Sequence, residues 1–114
     1  MKERDVIITA IPQADGTSKN RPAILLREMP AFGDKLICGI STQLQQEIKG
    51  FDEIISLQDA DFRASGLTSI SLVRLSNLVV LPKSKIKGSI GAISKSRHER
   101  LLKNLSTHLT KHLP

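Results

Sequence analysis

The apolar residues of this chain fall into short, β-branched runs cut apart by proline, glycine and polar turns, and only from Ser94 does their spacing change to that of a helix. That change of period constrains the fold more than any other feature. The residues before it have to satisfy their backbone by strand pairing, and those after it have one apolar stripe to bury on the resulting sheet. Val6 to Ile11 reads as a first strand, followed by the polar loop Pro12 to Ser18. Ala23 to Leu26 reads as a second. Pro22 ahead of it donates no amide hydrogen and belongs at a strand start or edge, which pins Arg21 where loop becomes strand. Pro30 and Gly33 mark a turn before a third strand, Lys35 to Ser41, and Gln45 to Gly50 reads as a surface connection to a short strand from Glu53 to Leu57. Asp59 to Ser65 has weak helical character with Gly66 to stop it, and Thr68 to Arg74 and Leu78 to Leu81 read as two paired strands. Leu101, Leu102, Leu105 and Leu109 share one helical face, with Ser94 or Ser96 as cap and Glu99 placed for a capping box with Ser96. The expected architecture is mainly β: a small, strongly bent antiparallel sheet or barrel with a C-terminal α-helix, forming a single domain over residues 1–114.

Seventeen Lys and Arg stand against eleven Asp and Glu, a formal charge of +6. A field of that sign attracts nucleic acid, an acidic protein or an anionic membrane. No apolar stretch approaches the roughly 20 residues that span a bilayer, and the amino terminus carries no signal-type apolar block, so a cytoplasmic protein without membrane contact is expected. Cys38 is the only cysteine; it has no disulfide or metal-ligand partner and reads as a small buried hydrophobe. Asp59 and Asp61 lack a companion ligand cluster and read as caps of the short helix, so neither metal nor cofactor is expected. His98, His108 and His112 read as surface residues of the terminal helix, and Lys83, Lys85, Lys87, Lys95, Arg97 and Arg100 as a solvated face able to steer a polyanion. With three Phe and no Trp or Tyr, base stacking has little to draw on, and recognition of a nucleic acid would rest on backbone contacts and base-edge hydrogen bonds.

The most distinctive segment is Gly16 to Ala23, where Lys19 and Arg21 lie two residues apart between a flexible loop and a strand. A planar guanidinium held there can take phosphate through two parallel hydrogen bonds, and Lys19 can add a point charge. Local spacing equally allows Arg21 to pair with a surface carboxylate or to cover apolar surface with its stem.

Asp5-Val6-Ile7-Ile8, the Lys19 to Ala23 segment with its apolar strand, and Ile40-Ser41-Thr42-Gln43 resemble the PemK/MazF toxins in order and spacing. Asp61 to Leu67, Ser71 to Leu75 and Ile90 to Ser94 continue the resemblance, which covers nearly the whole chain. It implies an SH3-like barrel and a homodimer that cleaves single-stranded mRNA without a metal, held inactive by a cognate antitoxin. It also implies Arg21, Thr42 and Arg74 as catalytic residues, with Lys19, Ser41, Gln43 and Ser76 as RNA-contacting neighbours. Three positions depart from the pattern. Ser76 stands where members with the later Arg carry an acidic residue, which leaves the proton donor and acceptor unassigned; Arg4 stands in place of glycine, and Ile11 in place of Phe. Because arginine is a poor base near neutrality, Arg21 and Arg74 suit charge neutralisation, and Thr42 suits a hydrogen bond to a phosphate oxygen. Ser76 also keeps open a catalytically inactive binding module on the same fold, acting on a protein such as a topoisomerase. A plain RNA-binding accessory of translation is the third alternative.

Overall fold

The computed structural model describes residues 1–12 and 14–114. The apolar runs form six antiparallel strands: β1 (Asp5–Pro12), β2 (Ser18–Glu28), β3 (Lys35–Ser41), β4 (Glu53–Ile55), β5 (Ser71–Leu81) and β6 (Ile86–Ala92). They make one sheet in the order β4-β5-β3-β2-β1-β6, curled into a half-barrel. Curling explains why Ala23, Ile24, Leu25 and Leu26 are apolar without alternation. Ile24 and Leu26 enter a core shared with Val6, Cys38, Ile40, Val73 and Leu75, whereas Ala23 and Leu25 enter a second core with Ile7, Ile11, Ile37 and Ile86. A strand with a core on each face has no solvent side to mark with polar residues. α1 (Phe62–Ser65) is a single turn, and α2 (Lys95–Leu109) lays Leu101 and Leu105 into the first core.

Strand boundaries differ from the sequence-based expectation at several points, β4 for one ending at Ile55 and not Leu57, and two of the differences have a clear physical reason. β2 begins at Ser18, so Lys19 and Arg21 lie within the strand; this stretch pairs with β1 alone, Thr9 opposite Arg21, and pairing with β3 starts at Ala23 opposite Gly39. Pro22 sits just before the β3 ladder begins, so its missing amide hydrogen breaks no rung there. The expected pair of strands, Thr68 to Arg74 and Leu78 to Leu81, is one strand that starts only at Ser71. In β5, Arg74 faces Gly39 and Leu78 faces Cys38, so Leu75, Ser76 and Asn77 form a bulge with no opposite number on β3. β6, rich in glycine and lysine, has no sequence signal strong enough to announce it.

The terminal helix is capped by Ser94, whose hydroxyl accepts the Arg97 amide at 3.1 Å, and the Ser96–Glu99 box is not formed because Arg97 occupies the third helical position. Leu109 is exposed beyond the apolar stripe. Three polar residues that read as surface groups in the sequence are interior. Arg97 is buried and donates to Asp61 (2.8 Å), Asp59 (2.9 Å), Glu53 (2.9 Å) and the Ile54 carbonyl (3.1 Å). Asp61 is buried with it and does not cap α1; its carboxylate also accepts the Ser94 amide at 3.0 Å, which ties the start of α2 to the α1 turn. His98 is buried as well, its Nε2 lying 2.7 Å from the Leu26 carbonyl. Gly66 ends α1 with φ of 76°, and a Cβ there would stand 2.1 Å from the Ile90 carbonyl oxygen. Arg4 adopts φ of 82°, a region that favours glycine, and is held there by its Nε bond to the Ile93 carbonyl (3.1 Å) and by the reciprocal Ile93 amide bond (2.9 Å). Among the described residues no helix is long and apolar enough to cross a membrane.

Candidate functional site

Three strand features converge on one cleft. β2 overhangs the end of its ladder with β3 and carries Arg21; β3 ends at Ser41 and runs into Thr42 and Gln43; the β5 bulge comes directly after Arg74 and projects Ser76 and Asn77. The cleft they surround has a volume of about 470 Å³ and is lined by Arg21, Ser41, Thr42, Gln43, Arg74 and Ser76. Six of the seven residues expected to form the site are therefore brought together from three separate segments. The seventh, Lys19, is exposed opposite Ile11 and lies outside the lining.

Local geometry fixes several of these groups. The Ser41 hydroxyl accepts the Gln43 amide at 3.0 Å, a tight turn that leaves the Thr42 side chain exposed and uncommitted to that turn. Gly39 makes room for Asn77, whose Nδ2 would lie 2.4 Å from any Cβ at that position. Arg74 is half-buried, and its Nε is the one buried side-chain nitrogen or oxygen among the described residues that has no hydrogen-bond partner. Among the described residues neither Arg21 nor Arg74 belongs to an ion pair; the acidic partners go to Arg27, Lys35, Arg97 and Arg100. A surface carboxylate does not claim Arg21. The described lining contains no carboxylate, imidazole or thiol, so two guanidinium charges stand beside hydroxyl and amide groups without internal compensation. Such a set attracts an anion, and a planar guanidinium can take two oxygens of a phosphate through parallel hydrogen bonds.

Sequence reasoning missed Gln46 and Asn77 in the lining, and Asp52 behind it. Buried Asp52 accepts the Ile48 amide at 2.9 Å and the Leu75 amide at 3.0 Å, fastening the turn after Gln46 to the bulge. A lone Asp between Phe51 and Glu53 gives no pattern by which to find it.

The fold is a curled antiparallel half-barrel closed by a terminal helix, with a cationic cleft at its strand ends. It is similar to the Mycobacterium tuberculosis toxin MazF-mt6, with a TM-score of 0.63 over 90% of this chain and 95% of that chain at 19% identity. The family model for the PemK-like, MazF-like toxin of type II toxin–antitoxin systems matches residues 2–109, and the chain belongs to that family. Its partner is accordingly an antitoxin. Comparison with curated protein sequences finds no match.

Proposed function

We propose that the protein is an endoribonuclease that cleaves single-stranded mRNA in the cytoplasm and so inhibits translation. The observation that carries this is the joint presence, in one cleft, of two guanidiniums that have no ion-pair partner among the described residues and the hydroxyls of Ser41 and Thr42. The reaction is written without a metal because cationic side chains repel a divalent ion and the described lining offers no ligand set for one. The ribose 2′-oxygen attacks the adjacent phosphorus and loses its proton. The P–O5′ bond breaks, O5′ gains a proton, and the products are a 2′,3′-cyclic phosphate and a 5′-hydroxyl. Arg21 and Arg74 hold the phosphate and offset the charge of the crowded phosphorane, a contribution on the order of 3 kcal/mol from each donor. Arginine is in general a poor proton acceptor, so neither residue is assigned proton transfer. In this reading Thr42 donates to a non-bridging oxygen, Ser41, Gln43 and Ser76, which line the same cleft, take the sugar and base contacts, and Lys19 adds charge along the approach.

The active form is a homodimer in this proposal. Leu78 and Val80 on β5 are exposed apolar residues, opposite Cys38 and Leu36, and give a second copy something to cover. A second reading, binding without cleavage to a target such as a topoisomerase, is favoured by one observation, the lack of any acid or imidazole in the described lining of this cleft. Incubation with long single-stranded RNA in excess chelator separates the two. Cleavage should yield ends bearing cyclic phosphate and should be abolished by Arg21→Ala. Undiminished cleavage by that variant would sink the site, and stable RNA or topoisomerase binding with no cleavage of any RNA would select the second reading.

A further inference from the structure

A second cleft adjoins the first, and Ser76 lines both. It has a volume of about 620 Å³ and lies between the turn at 48–51 and the last turns of α2. Its apolar surface comes from Ile48 and Phe51, and Lys49, Lys103 and Lys111 stand around it with no acidic residue in the described lining. Ile48 is 56% exposed, so the cleft has apolar surface left uncovered. The Phe51 ring lies 5.1 Å from that of His108 at a tilt of 52°, and Asn104 donates to the Phe51 carbonyl at 3.1 Å, which fixes the turn against the helix.

We infer that this second cleft is a nucleotide subsite for the same RNA strand, taking one base against Ile48 and Phe51 and the neighbouring phosphates on Lys49, Lys103 and Lys111. Two features favour RNA over an acidic protein segment. The junction at Ser76 lets a strand whose phosphate occupies the first cleft enter the second without leaving the surface. The combination of an aromatic side chain with encircling cations also matches a base flanked by phosphates. Phe51 is thus one of the few aromatic residues in the chain, and it stands where stacking is of use. The inference rests on the RNA reading of the first cleft.

The test uses the full-length protein and a single-stranded RNA with 2′-deoxyribose at the cut site, which binds but is not cut. For single strands, each lysine–phosphate contact contributes about 0.7 to the slope of log affinity against log salt concentration. Lys103→Ala combined with Lys111→Ala, both at exposed positions, should make that slope shallower by about 1.4. An abasic nucleotide scanned along the RNA should weaken binding about tenfold at one position next to the cut, and this loss should vanish in Phe51→Leu, which keeps an apolar side chain against the core. An unchanged salt slope, or no position whose abasic penalty depends on Phe51, overturns the inference, whether or not the same variants weaken binding of an acidic protein. If Arg21→Ala still cleaves normally, the first-cleft reading has failed; if it is inactive and the salt slope is unchanged, the second-cleft inference alone has failed.

Discussion

The carboxylate of Asp52 accepts the Leu75 backbone amide at an N···O distance of 3.0 Å, giving a partner to a backbone donor in the β5 bulge. Its other oxygen accepts the Ile48 amide, so one buried side chain joins the segment that presents Ser76 to the turn that separates the two clefts. Asp52→Asn replaces one acceptor with a donor and sets an NH₂ group against a backbone N–H. One buried amide is then unsatisfied, at a cost of about 1–3 kcal/mol. The urea midpoint should fall with an unchanged slope. At temperatures where the variant remains folded, kcat for RNA should fall as well, because Arg74 and Ser76 are no longer held in place. An unaltered midpoint would show that Asp52 does not secure the bulge.

Arg97 and Asp61 make the acid sensitivity of the fold predictable. Burial pushes the Asp61 carboxyl up, but the hydrogen bond from Arg97, the Ser94 amide and the Arg97 charge outweigh it and hold the group below its ordinary value of 3.8. A carboxyl whose folded value is depressed contributes stability that is fully present above the unfolded value and is lost as pH falls through the folded one. Thermal stability should therefore decline on acidification below about pH 4, in line with that linkage. Arg97→Ala leaves Asp61 buried without its partner and should cost about 3–5 kcal/mol at neutral pH. In that variant the acid limb should reverse, since protonation now relieves the buried charge. Melting curves taken across pH for the two proteins check both signs.

Cys38 is fully buried in the strand that ends at the cleft, and burial pushes its thiol up to about 12. A neutral, enclosed thiol does not react as a nucleophile. The folded protein should show no alkylation at pH 8 and should be labelled once denatured. Labelling of the native state at the rate of a free thiol would contradict the packing of β3 between β2 and β5.

Much of the fold was legible because it depends on local pattern. The β1 run, the limits of β3, the Ser94 cap, Gly66 and the Leu101–Leu105 stripe all carry their signal within a few residues. The features that escaped depend on partners far along the chain. Arg97 reads as one more cation of a basic face until Glu53, Asp59 and Asp61 are brought to it, and His98 reads as exposed until the Leu26 carbonyl meets its ring. The break between Arg74 and Leu78 looks like a turn between two strands, because a bulge and a turn share the same interruption of apolar residues. Arg21, Thr42 and Arg74 could be grouped by resemblance to the toxin family. The bulge, the Asn77–Gly39 fit and the Asp52 link that gather them in space have no counterpart in linear spacing.

Ser76 stands two positions after Arg74 on the lip shared by both clefts. Ser76→Asp would place a carboxylate near two guanidiniums that have no ion-pair partner, and its effects on binding and chemistry should have opposite signs. The negative charge offsets part of the field that attracts phosphate, so KM should rise and the salt dependence of binding should weaken. The same carboxylate supplies a proton acceptor that the described lining lacks, and general-base assistance is typically worth about 10²–10⁴-fold in rate when well placed. With a group not selected for the position, kcat should rise by about tenfold, short of the gain from a well-placed base. The rate should also gain an acidic limb as the new carboxyl is protonated. Ser76→Asn, close in size but uncharged, should show no gain in kcat and no new acidic limb, whatever it costs in the RNA contact assigned to Ser76. Steady-state cleavage in excess chelator across pH measures all of these. Equal losses of kcat in the two variants, with no acidic limb in Ser76→Asp, would mean that a carboxylate at this position does not act as the proton acceptor.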